Sequence, residues 1–591
     1  MNLSNFDWTI IIAFFLVTLG IGLYVSKQSG KSAKEFFLSG NNMPWWLLGV
    51  SMVATTFSAD TPNLVTDIVR QNGVAGNWAW WAFLLTGMLT VFVYAKLWRR
   101  SGIMTDLEFY ELRYSGPSAT FLRGFRAIYL GVFFNVVIMA TVMLAGIKIG
   151  GIMLGLTPVQ TVVLVSLVTV VYSSMGGLRG VILTDFFQFV LSMIGMIAAA
   201  IYIVSLPEID GLSNLVAHEN VVDKLSFFPD FSDPNVAIPL FIIPIAVQWW
   251  SVWYPGAEPG GGGYVAQRML SAKDEKSAIK ATLFFNVAHY ALRPWPWIVI
   301  ALASLVMFPE LENIKESFPN VDNDILAHDL AFPAMLTYLP HGLLGLIIAS
   351  LIAALMSTIS THLNWGSSYI VNDYYKRFVN QDATEKQQVF VGRMSTLLLM
   401  ILAAVFALYL RSAFEIFNLI LQIGAGTGLI FILRWFWWRI NAQSEIVAMI
   451  VSFLVALIFF VFPDIPLEDY QKMLIGVLIT TLSWLVTAYL TRPTDMKTLT
   501  SFFKLTRPHN IGWGKVVSNL SEAENLEIAN QKTTGLSIEV AMMFLGVIMV
   551  YTALFGIGSF VYGDTLVAYA LSAVSIFVSI ILFSLLKRNY K

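Results

Sequence analysis

Of the chain's 591 residues, 57% are hydrophobic and only 12% are charged, with a mean hydropathy of +0.71. This excludes an ordinary soluble domain and points to an all-α, polytopic membrane protein. The formal net charge of −1 argues against nucleic acid as a partner, and the lack of cysteine removes disulfides, thiolate metal sites and cysteine nucleophiles.

Hydropathy and length predict about fifteen membrane-crossing helices. The first lies near 8–25. The segment before it lacks a basic leader region, and Lys27, Lys31 and Lys34 follow it. It therefore reads as a retained helix with the N-terminus outside. Further spans are expected at 44–70, 77–98, 126–154, 158–174, 178–205, 238–253, 277–307, 342–378, 391–410 and 414–438. Four more are expected near 446–462, 472–490, 538–557 and 566–586. Alternate loops carry basic residues, among them Arg99, Arg113, Arg123, Arg268, Lys273, Lys276, Lys376, Arg492 and Lys587. The intervening loops, 207–234, 308–329 and 463–469, are acidic or neutral, which places the C-terminus in the cytoplasm. The polar loop near 491–536 reads as a partly ordered connector.

Two spans are interrupted. The first, at 44–70, crowds Ala54, Thr55, Thr56, Ser58, Asp60, Thr61, Pro62 and Asn63 into its centre. Pro62 removes an amide donor and frees the carbonyl of Ser58, and an unpaired Asp60 at that depth is costly. The second, at 238–270, holds Pro255 and the run Gly260–Gly263, which disfavours helix and reads as a hinge, a gate or a plain loop. Glu258 beside it calls for a basic partner. Paired broken helices mark inverted-repeat transporters, with the solute held between them near the bilayer midplane.

A third stretch, 343–375, places Ser357, Thr358, Ser360, Thr361 and Asn364 where the chain is still in the membrane. Ala354, Ser357, Thr358 and Thr361 share one helix face, a strip of small oxygens able to hold a hard cation. Helix packing is the competing reading of the same residues. Arg293, in HYALRPWPW, also lies at membrane depth. It either bridges to Asp60 or Glu415 or grips a solute carboxylate. Trp80 and Trp81 read as interfacial belt residues. His289 and His362 read as packing or hydrogen-bonded residues rather than proton relays.

Four stretches, WWLLGVSMVATTFS (45–58), YSSMGGLRGVILTDFFQ (172–188), QRMLSAKD (267–274) and ALMSTISTHLNWGSSYIVNDYY (354–375), resemble the sodium:solute symporter family. The resemblance implies a LeuT-type fold: one leading helix and loop (1–43), a core of five plus five inverted-repeat helices (44–440), and about four trailing helices with the 491–536 loop (441–591). It implies a main sodium site of Ala54 and Phe57 from core helix 1 with Ala354, Ser357 and Thr358 from core helix 8. It implies a possible second sodium site of Asp185, Ser357, Ser360 and Thr361, where Asp185 alone would also read as a partner for Arg179. The glycine run departs from the family pattern.

Solute-binding candidates are Thr56, Ser58, Asp60, Thr61, Gln248, Trp249, Trp253 and Arg293, with Asn418 and Gln422 on core helix 10. The expected function is sodium-coupled import of a sugar, polyol, amino acid or carboxylated sugar by alternating access in the inner or plasma membrane. Na+, the solute and the lipid bilayer are the only partners the residues call for. A sodium-independent permease and a membrane sensor are the alternatives. No nucleophile elbow, transition-metal cluster or phosphate loop suggests an enzyme.

Overall fold

The computed structural model of the protein describes residues 3–29, 32–56, 58–251, 258–319, 326–410, 413–522, 524 and 534–590. Its helices, in chain order, are α1 (Asn5–Ser29), α2 (Trp45–Thr56), α3 (Asp60–Asn72), α4 (Val74–Ser101), α5 (Pro117–Leu154), α6 (Pro158–Val204), α7 (Pro234–Ala246) and α8 (Gly263–Ser271). They continue with α9 (Glu275–Met307), α10 (Leu343–Val379), α11 (Glu385–Ala407), α12 (Ala413–Leu433), α13 (Ala442–Val461), α14 (Asp469–Leu490), α15 (Leu536–Tyr562) and α16 (Thr565–Asn589). Among the described residues, eleven helices are long and apolar enough to cross a membrane, and shorter apolar helices lie at 45–56, 158–170, 234–246 and 419–433.

Local chemistry sets the boundaries. Thr157 and Gln160 close a capping box at the start of α6, and Thr384 and Gln387 do so for α11. The two spans expected at 158–174 and 178–205 are two helical segments of α6 that meet at a break at Gly177, whose φ of 55° only glycine adopts without strain. The first broken span ends α2 at Thr56 and restarts as α3 at Asp60. In the second, α7 gives way to a tight turn at Gln248–Trp250 and α8 begins at the last glycine of the run, Gly263. Gly260 and Gly261 have φ of 85° and 90°, and a Cβ on Gly261 would lie 2.6 Å from Met269 Cε. The run is thus a packed turn, closed further by a bond from Trp98 Nε1 to Gly260 O (2.7 Å).

Helix α10 is the axis of the bundle. It packs on α6, α1, α11, α5 and α2, and its residues from Ala353 to Tyr369 are buried throughout. Asp7 of α1 accepts bonds from Gly342 N (2.7 Å) and Gly345 N (3.0 Å), placing a carboxylate at the positive end of α10.

Three expectations are corrected. Arg268 is not a loop charge, since it lies within α8 with its side chain fully buried; Arg113 does lie in the α4–α5 connection, but its side chain is fully buried too. Arg113 donates to Arg434 O and Trp437 O (both 3.0 Å). The segment 491–536 does more than connect. It contains the helix Met496–Thr506, and the buried Trp513 donates to Trp435 O (2.9 Å) beyond the end of α12. Its buried ring, packed against Phe502 and Phe503, ties this polar segment back onto the bundle. Nor do Trp80 and Trp81 form an interfacial belt: Trp81 is fully buried, and Trp80 stacks on Tyr290 at 5.9 Å inside the bundle.

Candidate functional site

The break between α2 and α3 opens beside a cavity of about 100 Å³. Thr55, Thr56, Ser58, Asp60, Thr61 and Arg293 line it, with Trp80, Tyr264, His289 and Tyr290 as an aromatic wall. Five solute-binding candidates from the sequence, Thr56, Ser58, Asp60, Thr61 and Arg293, therefore converge. Oδ1 of Asp60 is buried and makes no hydrogen bond among the described residues, so it can accept one from a ligand.

Arg293 is committed to the protein. Its Nη1 donates to Val53 O and to Thr56 Oγ1, both at 3.1 Å, which caps the carbonyl end of α2 where the helix stops. Its guanidinium also lies over Trp297 at 4.9 Å. Thr56 Oγ1 lies 3.2 Å from His289 Nδ1, so His289 is hydrogen-bonded, as one of its two sequence readings had it, and borders the cavity.

Other candidates lie elsewhere. Gln248 donates to Ala79 O (2.6 Å), and Trp249 offers its carbonyl to Thr86 Oγ1 (2.7 Å); neither lines the cavity. Gln422 is half-buried and also outside the lining. Phe57, Trp253 and the side chains of Asn418 and Glu415 fall outside the described residues.

On the opposite side of α2, α10 supplies its hydroxyls. Thr358 Oγ1 donates to Thr55 O (2.9 Å), so it reaches the last turn of α2 next to Ala54. Ala54, Ala354, Ser357 and Thr358 are all buried. Ser357 Oγ donates to Asp185 Oδ1 (2.5 Å), and Ser51 Oγ donates to Asp185 Oδ2 (2.6 Å). Ser360 Oγ turns back to Ser357 O (2.9 Å).

Sequence reasoning missed three members of this group: Ser51, Thr55 and Arg268. Arg268 Nη2 donates to Thr361 Oγ1 (3.0 Å) and lies 3.9 Å from Asp185 Oδ2, while its Nε approaches Ser51 Oγ at 3.3 Å. Asp185 is thus held by Arg268 and two serines rather than by Arg179. The signal available was the i, i+4 spacing of Ser51 and Thr55 on the helix that ends at the break.

A second polar layer closes the end of the bundle that carries the basic loops. Glu258 pairs with Arg126 and with Arg434 (3.3 Å), and Arg434 lies 3.5 Å from Glu445, which accepts a bond from Tyr114. All four charged side chains are buried.

The sequence profile of the sodium:solute symporter family matches residues 36–452. The sodium/glucose cotransporter of Vibrio parahaemolyticus is 25% identical over 81% of this chain and 89% of its own length. The sodium/sialic acid symporter SiaT of Proteus mirabilis is 27% identical over 77% of this chain and 90% of its own. The solved structure of a Na+-coupled sialic acid symporter in a substrate-bound, outward-open state superposes with a TM-score of 0.66 at 24% identity, covering 84% of this chain and 99% of that one. The shared fold is the LeuT type. The chain belongs to the sodium:solute symporter family and is a membrane protein that couples solute movement to sodium.

Proposed function

We propose that the cavity at the α2–α3 break receives a small polyhydroxylated or amine-bearing solute and that the main sodium ion binds on the other side of α2. Its ligands are the carbonyls of Ala54, Phe57 and Ala354 and the hydroxyls of Ser357 and Thr358. The observation that carries this reading is the bond from Thr358 to Thr55 O: one turn of α2 faces the α10 hydroxyls and the solute cavity at once. An ion that replaces this bond stiffens the turn from which Thr56 and Ser58 meet the solute, which is the coupling that symport requires. Asp60 supports the solute class, because its buried free oxygen accepts from hydroxyl or ammonium groups.

Asp185, Ser357, Ser360 and Thr361 form a second sodium site in this proposal, with a condition. While Arg268 donates to Thr361 its guanidinium supplies the positive charge there, so the ion enters only when Arg268 withdraws. The protein is a carrier rather than an enzyme, in the inner or plasma membrane, with N-terminus outside and C-terminus in the cytoplasm. Uptake into proteoliposomes tests the function. Flux of a polyol, sugar or amine must follow an imposed sodium gradient and stop when choline replaces sodium. Flux that ignores the gradient refutes symport and leaves a permease. In thermal-shift screening with sodium, a true solute at about 100 times its Kd adds about 2.7 kcal/mol of stability.

A further inference from the structure

A cavity of about 520 Å³, far larger than the solute cavity, opens on the outer surface between the first turns of α9 and the end of α16. Its wall is apolar, with Phe284, the half-exposed Phe583 and the exposed Trp45 contributing rings. Its rim is cationic: Lys276 and Lys280 stand one turn apart on α9, and Lys587 approaches from α16. All three lysines are exposed, and among the described residues none pairs with a carboxylate. The nearest acids in sequence are engaged elsewhere. Glu275 is held by Arg100 through two bonds of 2.9 Å, and Asp274 caps α9 by accepting from Ser277 N (2.7 Å). Lys280 Nζ lies 5.7 Å over the Trp45 ring, which holds its charge at the mouth.

We infer that this crevice binds an anionic phospholipid of the cytoplasmic leaflet, with phosphate on Lys276, Lys280 and Lys587 and acyl chain along Phe284 and Phe583. Charge complementarity selects the headgroup, because a basic pocket between membrane helices at the cytoplasmic side attracts anionic lipid. The apolar wall selects a lipid over a soluble phosphate, since burying an acyl chain adds hydrophobic stabilisation that no small anion supplies. Bound there, the lipid ties the last helix to α9, which also carries Arg293 and His289 of the solute cavity.

Native mass spectrometry of the full chain tests this with dioleoylphosphatidylglycerol and dioleoylphosphatidylcholine. The expected result is phosphatidylglycerol retained about tenfold over phosphatidylcholine, and that preference lost in Lys276→Gln/Lys280→Gln/Lys587→Gln. The corresponding triple arginine variant keeps it. Equal retention of the two lipids, or phosphatidylglycerol binding unchanged in the glutamine variant, overturns the inference. Displacement by glycerol 3-phosphate at low concentration also overturns it, in favour of a soluble-anion site. Should the glutamine variant fail to fold, a phosphatidylglycerol with a photoreactive acyl chain decides on the unaltered protein. Label on the peptides holding Phe284 and Phe583 supports the site, and label elsewhere refutes it.

Discussion

Arg268 and Asp185 face each other at 3.9 Å with no exposed side-chain surface on either, and Ser51 lies between them, bonded to both. A buried ion pair contributes little net stability when intact, but losing one partner strands the other charge. Asp185→Ala should therefore destabilise the protein by about 3–5 kcal/mol. Asp185→Ala combined with Arg268→Met should cost less than the sum of the two single variants by more than about 1 kcal/mol. Thermal unfolding of the purified variants measures this, and strict additivity would show that the two groups do not interact.

Sodium stoichiometry separates the two proposed ion sites. With both operating, uptake rises with sodium with a Hill coefficient near two, falling to about one in Asp185→Ala together with the charge carried per solute. A coefficient of one in the unaltered protein and an unchanged charge-to-solute ratio in the variant would leave only the main site. Thr358→Val keeps the side chain's shape and removes the oxygen. It should weaken sodium dependence at least about tenfold, the loss expected for a buried ion ligand, while Thr358→Ser retains it.

Arg293 caps α2 through Val53 O and Thr56 Oγ1. Arg293→Gln should then lower stability by about 1–3 kcal/mol, and by the same amount with or without bound solute. If the loss appears only with solute present, Arg293 holds the solute instead. In a carboxylate series the same comparison shows whether the guanidinium discriminates acids from neutral solutes.

Outside the membrane spans, Glu111 accepts from Arg377 (3.0 Å) and Arg123 (2.8 Å). Its partial burial alone would raise its pKa, but the hydrogen bonds from Arg377 and Arg123 outweigh that and hold it below the ordinary 4.5. A carboxylate lowered on folding stabilises fully above its unfolded pKa and loses that contribution as pH falls through the folded value. The stability gap between the unaltered protein and Glu111→Gln should be constant at neutral pH and shrink as the pH falls below about 4.5. A gap that is flat into strong acid would show that the bridge contributes nothing through charge.

Much of the site was legible because costly residues mark it. Asp60 and Pro62 inside an apolar span announce a broken helix, and the α10 hydroxyls announce a polar strip. What stayed hidden depends on three-dimensional partners. Arg268 reads as a loop charge because its neighbours in sequence, Lys273 and Lys276, belong to a loop and a helix start, while its own partners come from α2, α6 and α10. Trp80 reads as a belt residue because tryptophan usually sits at the interface, and only the approach of α9 brings Tyr290 onto its ring. Trp513 lies in a polar stretch whose composition says nothing of its buried bond to Trp435 O.

The buried sequence Arg126, Glu258, Arg434 and Glu445 joins α5, the turn before α8, the end of α12 and α13 into one alternating chain of charge. Wetting any one member while its neighbours stay dry leaves half an ion pair in a low-dielectric interior, so a partly parted wall costs more than one that is either shut or flooded. The barrier at this end is therefore all-or-none. Thermal fluctuations too small to hydrate the whole chain are opposed as a unit at this end of the bundle.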